Sequence, residues 1–405
     1  MRIALLSFEY PPETGFGGIG TYTWYQARAL ARLGHRVHVL AGATAATPLR
    51  STEHDGVTVH RFRASGPLMR AFGLLGRRRL FWTQNRLENG WSMYRGLSDL
   101  LDRFAYDVVE MPECGAEGWA INHLSGVNTV VRFHSPARLI MSTYDVPGSD
   151  ITGCSAVEKL AMLGAGAFTS CSRFLADEVR SHLGIRRSID VIPNGIDLDL
   201  FDRGPRTDVR KQFNLPAGKP LILFTGRIEP RKGIELCPEI VGTILERHDV
   251  AFAFAGRDLF GYMAGTLLPR VRSRPLRGSI HYLGELDLAT VRACLHEADI
   301  FFLPSLWENC PYSCIEAMAA GRAIVCSNQG GMPELVQHEV NGLLAHTGDA
   351  ASFVGQLERL IDDEGSRRRL GEAARRTVET SLTDVRIAER SLAAYRSAFG
   401  LTSVA

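Results

Sequence analysis

The sequence carries almost no excess charge of either sign: 46 Lys and Arg face 44 Asp and Glu, for a formal net charge of +2. A chain without a general basic field offers no footprint for nucleic acid, and none is expected as a partner. Long apolar runs are missing too. The opening stretch Met1-Arg2-Ile3-Ala4-Leu5-Leu6-Ser7-Phe8 is too short for a signal peptide or a membrane span and reads as a first strand. Cysteine is sparse and irregular. The 8 cysteines are scattered, and Cys310 and Cys314 have no second pair at metal-site spacing. Thiols inside apolar runs read as core filler in a reducing compartment. Low-complexity segments and short-period repeats are also absent. These absences point to a cytoplasmic protein. One segment leaves contact with the inner face of a membrane open, because residues 68–82 mix Leu, Met, Phe and Trp with four arginines, among them Arg77-Arg78-Arg79.

With 405 residues and 45% hydrophobic content, the chain can fill two cores of ordinary size and is too long for one compact domain. Short apolar runs alternate with helical patterns. Strands are predicted at 3–8, 37–41, 57–62, 108–110, 129–133, 167–170 and 190–192, then at 220–225, 250–255, 280–283, 300–303 and 323–326. Helices are predicted near 19–33, 84–103, 154–163 and 173–182, then near 232–245, 288–297, 312–320, 348–361, 366–380 and 383–397. This alternation argues for an α/β protein with mostly parallel sheets and helices on both faces. Pro193-Asn194-Gly195 stops the first region, and the charged, Pro- and Gly-containing stretch 197–218 reads as a linker. Domains of this kind bind ligands at the carboxyl ends of their strands, and a cleft between two of them suits a two-substrate reaction.

Four constellations carry candidate chemistry. Gly15-Phe16-Gly17-Gly18-Ile19-Gly20 joins the first strand to a helix start, where free N–H groups suit phosphate, although the spacing is not a dinucleotide fingerprint. Gly226-Arg227-Ile228-Glu229-Pro230-Arg231-Lys232-Gly233 opens the second region in the same manner. Arg227 and Lys232 would clamp a diphosphate, while Arg231 reads as surface charge. Glu308-Asn309-Cys310-Pro311-Tyr312-Ser313-Cys314-Ile315-Glu316 brackets a strand-to-helix turn with two carboxylates, which suits a ligand rich in hydroxyls. Glu316 sits in an apolar helical pattern and needs a partner to offset desolvation; a ribose would serve. His134 follows a strand at its carboxyl end, where a neutral imidazole could meet a sugar hydroxyl. Arg132 reads as facing the other side of that strand. Glu9, Glu13 and Asp145 lie in loops and are candidates for meeting an acceptor hydroxyl or amine.

Together these residues resemble the retaining glycosyltransferase family 4, of the fold called GT-B. The resemblance runs through nearly the whole chain. It rests on Gly17-Gly18, Gly226-Arg227 with Lys232-Gly233, the segment Glu308 to Glu316, Ala319-Ala320-Gly321, and Gly330-Gly331-Met332-Pro333-Glu334. It implies two Rossmann-like α/β/α domains facing a deep cleft: an acceptor-binding domain at 1–196, the linker at 197–218, a nucleotide-sugar-binding domain at 219–382, and a final helix in 383–405 packing back on the first domain. It further implies that Arg227 and Lys232 hold the donor diphosphate, Glu316 the ribose, and Glu308 the transferred sugar. Backbone near Asn309, Cys310, Pro311, Tyr312 and Ser313 would help, with Gly17 and Gly18 approaching the phosphates and His134 near the reacting carbon. The activity implied is transfer of a sugar from a nucleotide-diphosphate sugar to a saccharide, lipid-linked or other small acceptor, with retention. Acceptor attack on the same face as the departing diphosphate, through an oxocarbenium-like state, leaves the chemistry to electrostatics and positioning. No metal or other cofactor is expected. The rival readings are a sugar-nucleotide epimerase or phosphorylase of the same fold, or a non-catalytic sugar-nucleotide sensor. Asn309-Cys310-Pro311-Tyr312 departs from the commonest pattern at this turn and bears on the donor sugar.

Overall fold

The computed structural model describes residues 1–14, 17–43, 49–63, 66–203 and 207–402. Gly15 and Phe16 of the first glycine-rich loop therefore lie outside the described residues. The chain divides into two compact units: Met1–Gly195 with Asp384–Ala405, and Ile196–Thr383.

The sheet of the first unit contains, among the described residues, β1 (Arg2–Ser7), β2 (Arg36–Gly42), β3 (Ser51–His54), β4 (Val57–Phe62), β5 (Val108–Pro112), β6 (Thr129–Phe133), β7 (Ala167–Ser170) and β8 (Asp190–Val191). The spatial order is β3-β4-β2-β1-β5-β6-β7-β8, parallel throughout except where β3 pairs antiparallel with β4. Its inner strands β1, β5 and β6 bury nearly every side chain, as a sheet covered on both faces must. The C-terminal helix Asp384–Phe399 belongs to this unit. It buries Ile387, Ala388, Leu392 and Tyr395, and its Ala388, Leu392 and Tyr395 join the core of β1, β2 and helix Gly18–Arg32.

The second sheet holds β9 (Leu221–Thr225), β10 (Ala251–Ala255), β11 (Ser279–Gly284), β12 (Ile300–Leu303), β13 (Ala323–Ser327) and β14 (Leu343–Ala345). The order is β11-β10-β9-β12-β13-β14, with every pair parallel. This is the strand order of a dinucleotide-type fold, and its reversal falls between β9 and β12. The loops that follow these two strands are far apart in sequence, yet both open at the same crevice. That placement governs the candidate site.

Several sequence expectations change in detail. β3 and β14 were not predicted: Ser51-Thr52-Glu53-His54 is a polar, exposed edge, and β14 is only three residues long. The helix expected near 232–245 starts later. Pro230–Lys232 and Ile234–Leu236 are 3-10 turns, and the helix proper is Cys237–Arg247. Gly233, at φ +69°, ends the first turn, and a left-handed residue there cannot continue a helix. Residues 197–203 and 207–218 fold with the second unit and include short helices at Leu198–Asp202 and Val209–Gln212.

Candidate active site

The second unit builds its site where β9 and β12 end. β9 delivers Gly226 and Arg227; β12 delivers Ser305, Glu308 and the start of helix Tyr312–Ala319. Gly233 makes the two loops meet. A Cβ there would lie 1.9 Å from the Pro304 carbonyl oxygen, so only glycine lets the backbones approach this closely. The approach puts Lys232 beside Glu308, 76 residues on. Lys232 Nζ donates to Glu308 Oε1 at 2.5 Å, and Ser305 Oγ donates to the same oxygen at 3.1 Å. Arg231 Nη1 lies 3.2 Å from that oxygen, and its Nη2 donates to Glu229 Oε1 at 2.9 Å.

Arg231 is thus not the surface charge its position in the sequence suggested. It is buried between two buried carboxylates, because the 3-10 turn folds it under the loop. Burial drives the Glu308 carboxyl up, but Lys232, Arg231 and the hydrogen bonds from Lys232 and Ser305 more than offset this and hold it at about 2. Burial pulls the Lys232 ammonium down, and Glu308 opposes it. The Glu308 carboxyl is ionised at neutral pH. Since the Glu308 carboxyl sits below its ordinary value, its contribution to stability is present above that value and is lost as pH falls toward about 2.

Arg227 projects into solvent, its side chain 52% exposed and 3.3 Å from Glu229. Asn309, Cys310 and Pro311 are buried, and no side chain caps the helix that begins at Tyr312. That helix turns Cys314, Ile315, Ala317 and Met318 inward and leaves Tyr312, Ser313 and Glu316 half-buried on one face. Among the described residues the Glu316 carboxylate has no hydrogen-bond or ion-pair partner. Burial pushes it up to about 7, with Arg292 acting in the opposite direction. The buried hydroxyls of Thr225, Ser313 and Ser327 also have no hydrogen-bond partner among the described residues. Thr225 and Ser327 close β9 and β13, so unmet polar groups collect at the carboxyl ends of this sheet. Gly330 completes the wall: at φ +69°, its Cβ would lie 2.1 Å from the Glu308 carbonyl oxygen, which accepts from Gly331 N at 2.8 Å.

The first unit has its own switch point, between β1 and β5. Phe8 N, just after β1, donates to Glu117 Oε1 at 2.9 Å. Glu113, just after β5, is fully buried, and its two oxygens each accept from His134 N at 2.8 Å. Ser135 N also donates to Oε1, at 2.5 Å. The carboxylate therefore fixes the backbone on which His134 sits. Burial pushes both Glu113 and Glu117 up to about 8. His134 is buried, its ring 5.1 Å edge-on from Tyr22, and burial with nearby Arg132 lowers it well below the usual histidine range. Its imidazole is neutral at physiological pH.

Arg132, expected on the far side of its strand, is fully buried in the same region. Its Nη2 donates to Ile192 O at 2.9 Å and Asn194 Oδ1 at 3.1 Å, and its guanidinium carbon lies 3.9 Å from the Tyr22 ring centroid. Glu113, Glu117 and Glu229 escaped the sequence reading, which had no means of telling a buried loop carboxylate from a solvated one. Of the acceptor candidates, Glu9 lies against Gly17, whose Cβ would sit 1.9 Å from Glu9 Oε2. Glu13 is held by Arg61 Nη2 at 2.6 Å, and Asp145 is exposed. Gly17 begins helix Gly18–Arg32 without a side-chain cap, and the space around Gly18 is open.

Comparison with known proteins agrees with this anatomy. Residues 16–200 match the family described as Glycosyltransferase Family 4, and residues 205–377 match Glycosyl transferases group 1. An uncharacterized glycosyltransferase of Methanocaldococcus jannaschii is 28% identical over 406 residues, covering 98% of each chain. Glycogen synthase of Mycobacterium tuberculosis is 28% identical over 425 residues, covering 98% of this chain and 95% of its own. Among solved structures, sucrose-phosphate synthase from Thermosynechococcus elongatus superposes with a TM-score of 0.78 at 22% identity, over 99% of this chain and 100% of its own, a likeness of fold. With the two glycosyltransferase family descriptions falling in turn on the two halves of the chain, this protein is a glycosyltransferase with two Rossmann-like domains of the GT-B type.

Proposed function

We propose that the second unit holds the nucleotide-diphosphate sugar at the β9–β12 crevice. Lys232, Arg231 and Arg227 would face the diphosphate, Glu316 the ribose, and Glu308 with the backbone of 309–313 the transferred sugar. The single observation that carries this is Glu316, which has no hydrogen-bond or ion-pair partner among the described residues, beside a buried Ser313 hydroxyl that also has none there. Two ribose hydroxyls would satisfy both needs. In the reaction the bond from the sugar carbon to the donor phosphate breaks and a bond from an acceptor hydroxyl or amine forms on the same face. The acceptor proton passes to a phosphate oxygen of the leaving nucleotide. His134, Glu9 and Glu13 belong to the acceptor side of this reading. The charge of the departing diphosphate is left to the cations and helix N–H groups, so no resident metal enters the scheme.

The Glu316 assignment makes donor binding depend on pH. Its folded value is about 7 against an ordinary 4.5, so below about 7 the group is mostly protonated. In the window between those values the unfolded chain is ionised while the folded chain keeps its proton, and this group lowers stability as pH rises. A carboxylate accepts hydroxyl hydrogen bonds better than a carboxylic acid does. Donor affinity should therefore rise about tenfold between pH 6 and 8 and then level off. Calorimetric titration with whichever nucleotide sugar gives the largest thermal shift in a panel measures this. A flat profile in the natural protein, or the same slope in Glu316→Gln, removes Glu316 from the ribose.

The acceptor reading extends to a membrane-borne substrate. Helix Pro67–Gly76 has no buried residue. Leu68, Leu74, Phe81 and Trp82 are exposed by 44, 56, 59 and 42%, next to exposed Arg70, Arg77, Arg78 and Arg79. Apolar side chains flanked by arginines suit the interface of an anionic bilayer. Among the described residues no helix is long and apolar enough to cross one. Vesicles containing acidic lipid should sediment the protein at low salt, and Arg77→Gln with Arg78→Gln and Arg79→Gln should lower the bound fraction at least fivefold. Equal binding by this variant, or none by the natural protein, would leave a non-membrane acceptor.

A further inference from the structure

The second unit has another concavity, at the amino ends of its strands. Lys219, Asp299 and Arg322 line it from just before β9, β12 and β13, whereas Gly226, Glu308 and Ser327 lie at or beyond the strands' carboxyl ends. Its volume is about 740 Å3, within the range of small-molecule sites. The facing wall is one stripe of helix Glu364–Ser381, where Glu364, Arg367, Arg368, Glu372, Arg375 and Arg376 recur every three or four residues. Leu370, Ala374 and Val378 anchor that helix through its other side. Arg210 completes the lining.

Seven cationic side chains and three carboxylates line this cavity, in a chain whose whole net charge is only +2. Three of the cations are already paired outside the lining: Arg210 with Glu297, Lys219 with Asp249 at 2.6 Å, and Arg375 with Asp202 and Glu379 at 2.8 Å each. The available charge rests on Arg322, Arg367, Arg368 and Arg376. Arg322 donates to Ala320 O at 2.7 Å and Ala298 O at 2.8 Å; Arg367 donates to Leu360 O at 2.6 Å and Ile361 O at 2.8 Å. Neither makes an ion pair with a carboxylate among the described residues. Arg368 and Arg376 meet Glu364 and Glu372 only at 3.9 and 3.7 Å, with side chains 70 and 61% exposed, and such contacts are weak. A solvated helix face would show the same ladder of charges. It would not look across a recess at Arg322, a further cation without a carboxylate ion pair among the described residues, on the opposite wall.

We propose that this cavity binds a small phosphorylated molecule carrying at least two negative charges, at a site separate from the nucleotide-sugar site. Guanidinium groups from two walls match the planar, multiply accepting faces of phosphate. Arg375 also donates to Ala319 O at 2.5 Å, at the last residue of helix Tyr312–Ala319. The two sites thus sit at opposite ends of one short helix.

Inorganic pyrophosphate is the probe, titrated calorimetrically into the full chain carrying Lys232→Ala, which weakens the other phosphate site. This chain should still bind pyrophosphate, and adding Arg368→Gln and Arg376→Gln should weaken binding at least tenfold. Both arginines are exposed, so an unchanged melting temperature verifies that the fold survives. Absence of binding in the Lys232→Ala chain overturns the proposal, as does equal affinity with and without the two arginines. Binding to acidic vesicles through the same arginines, without pyrophosphate affinity, overturns it in favour of a lipid surface. Failure of the nucleotide-sugar reading would be seen separately, as normal donor affinity and turnover in Lys232→Ala alone.

Discussion

Lys232→Ala is expected to lower the turnover of sugar transfer by about 100- to 1000-fold, with a smaller effect on the donor KM, as when a preorganised donor to a developing charge is removed. Lys232 is buried and donates to Glu308, and the cluster of Glu229, Arg231, Lys232 and Glu308 balances two cations against two carboxylates. Without Lys232 the cluster is left with excess negative charge where negative charge must develop on the departing diphosphate. Steady-state kinetics on the natural protein and on Lys232→Ala measure the loss. Adding Glu308→Gln separates two explanations. If Lys232 serves only to neutralise Glu308, the double variant recovers most of the activity. If Lys232 meets the leaving group, the double variant stays as slow as the single one. Turnover within about threefold of the natural protein in Lys232→Ala removes this residue from the chemistry.

The largest expected effect on stability is in the first unit. Arg132→Ala should cost about 3–5 kcal/mol, the range for breaking a buried, hydrogen-bonded charged group. Arg132 is 0% exposed and ties β6 to the segment after β8 through Ile192 O and Asn194 Oδ1. It also packs on the ring of Tyr22, whose hydroxyl donates to buried Glu110 at 2.8 Å; Tyr395 of the C-terminal helix donates to the other Glu110 oxygen at 2.6 Å. Truncation leaves those acceptors unmet, opens a large cavity, and removes a cation whose charge acts on both Tyr22 and Tyr395. Arg132→Met keeps most of the volume and should recover only the packing share. Denaturant unfolding followed by tryptophan fluorescence reads this unit, because four of the 5 tryptophans, Trp24, Trp82, Trp91 and Trp119, lie in it. A loss below about 1 kcal/mol would show that the network does not hold the unit together.

Much of this architecture was legible in the one-dimensional pattern, for a physical reason. A parallel sheet needs a crossover between every pair of strands, so its apolar runs and helical stretches alternate visibly. Loops that follow strands can then be located by counting. Twelve strands were predicted near where they lie, and β3 and β14 were missed because neither carries a sustained apolar run. The helix at 312–319 was visible from its apolar spacing, and so was the conflict posed by Glu316 within it.

Local sequence was silent on strand order, and strand order makes the site. Adjacency of β9 and β12 is set by packing across the sheet, and it brings Lys232 to Glu308. The choice between Arg231 and Lys232 as the buried cation also lay beyond the pattern. A 3-10 turn ended by Gly233 buries both, while Arg227, five residues before Lys232, stays in water. Residue identity and spacing fixed which groups reach the strand ends, because the backbone's periodicity is local. Burial, partnership and ionisation of those groups arise from atoms dozens of residues away, so they came into being only when the two sheets formed.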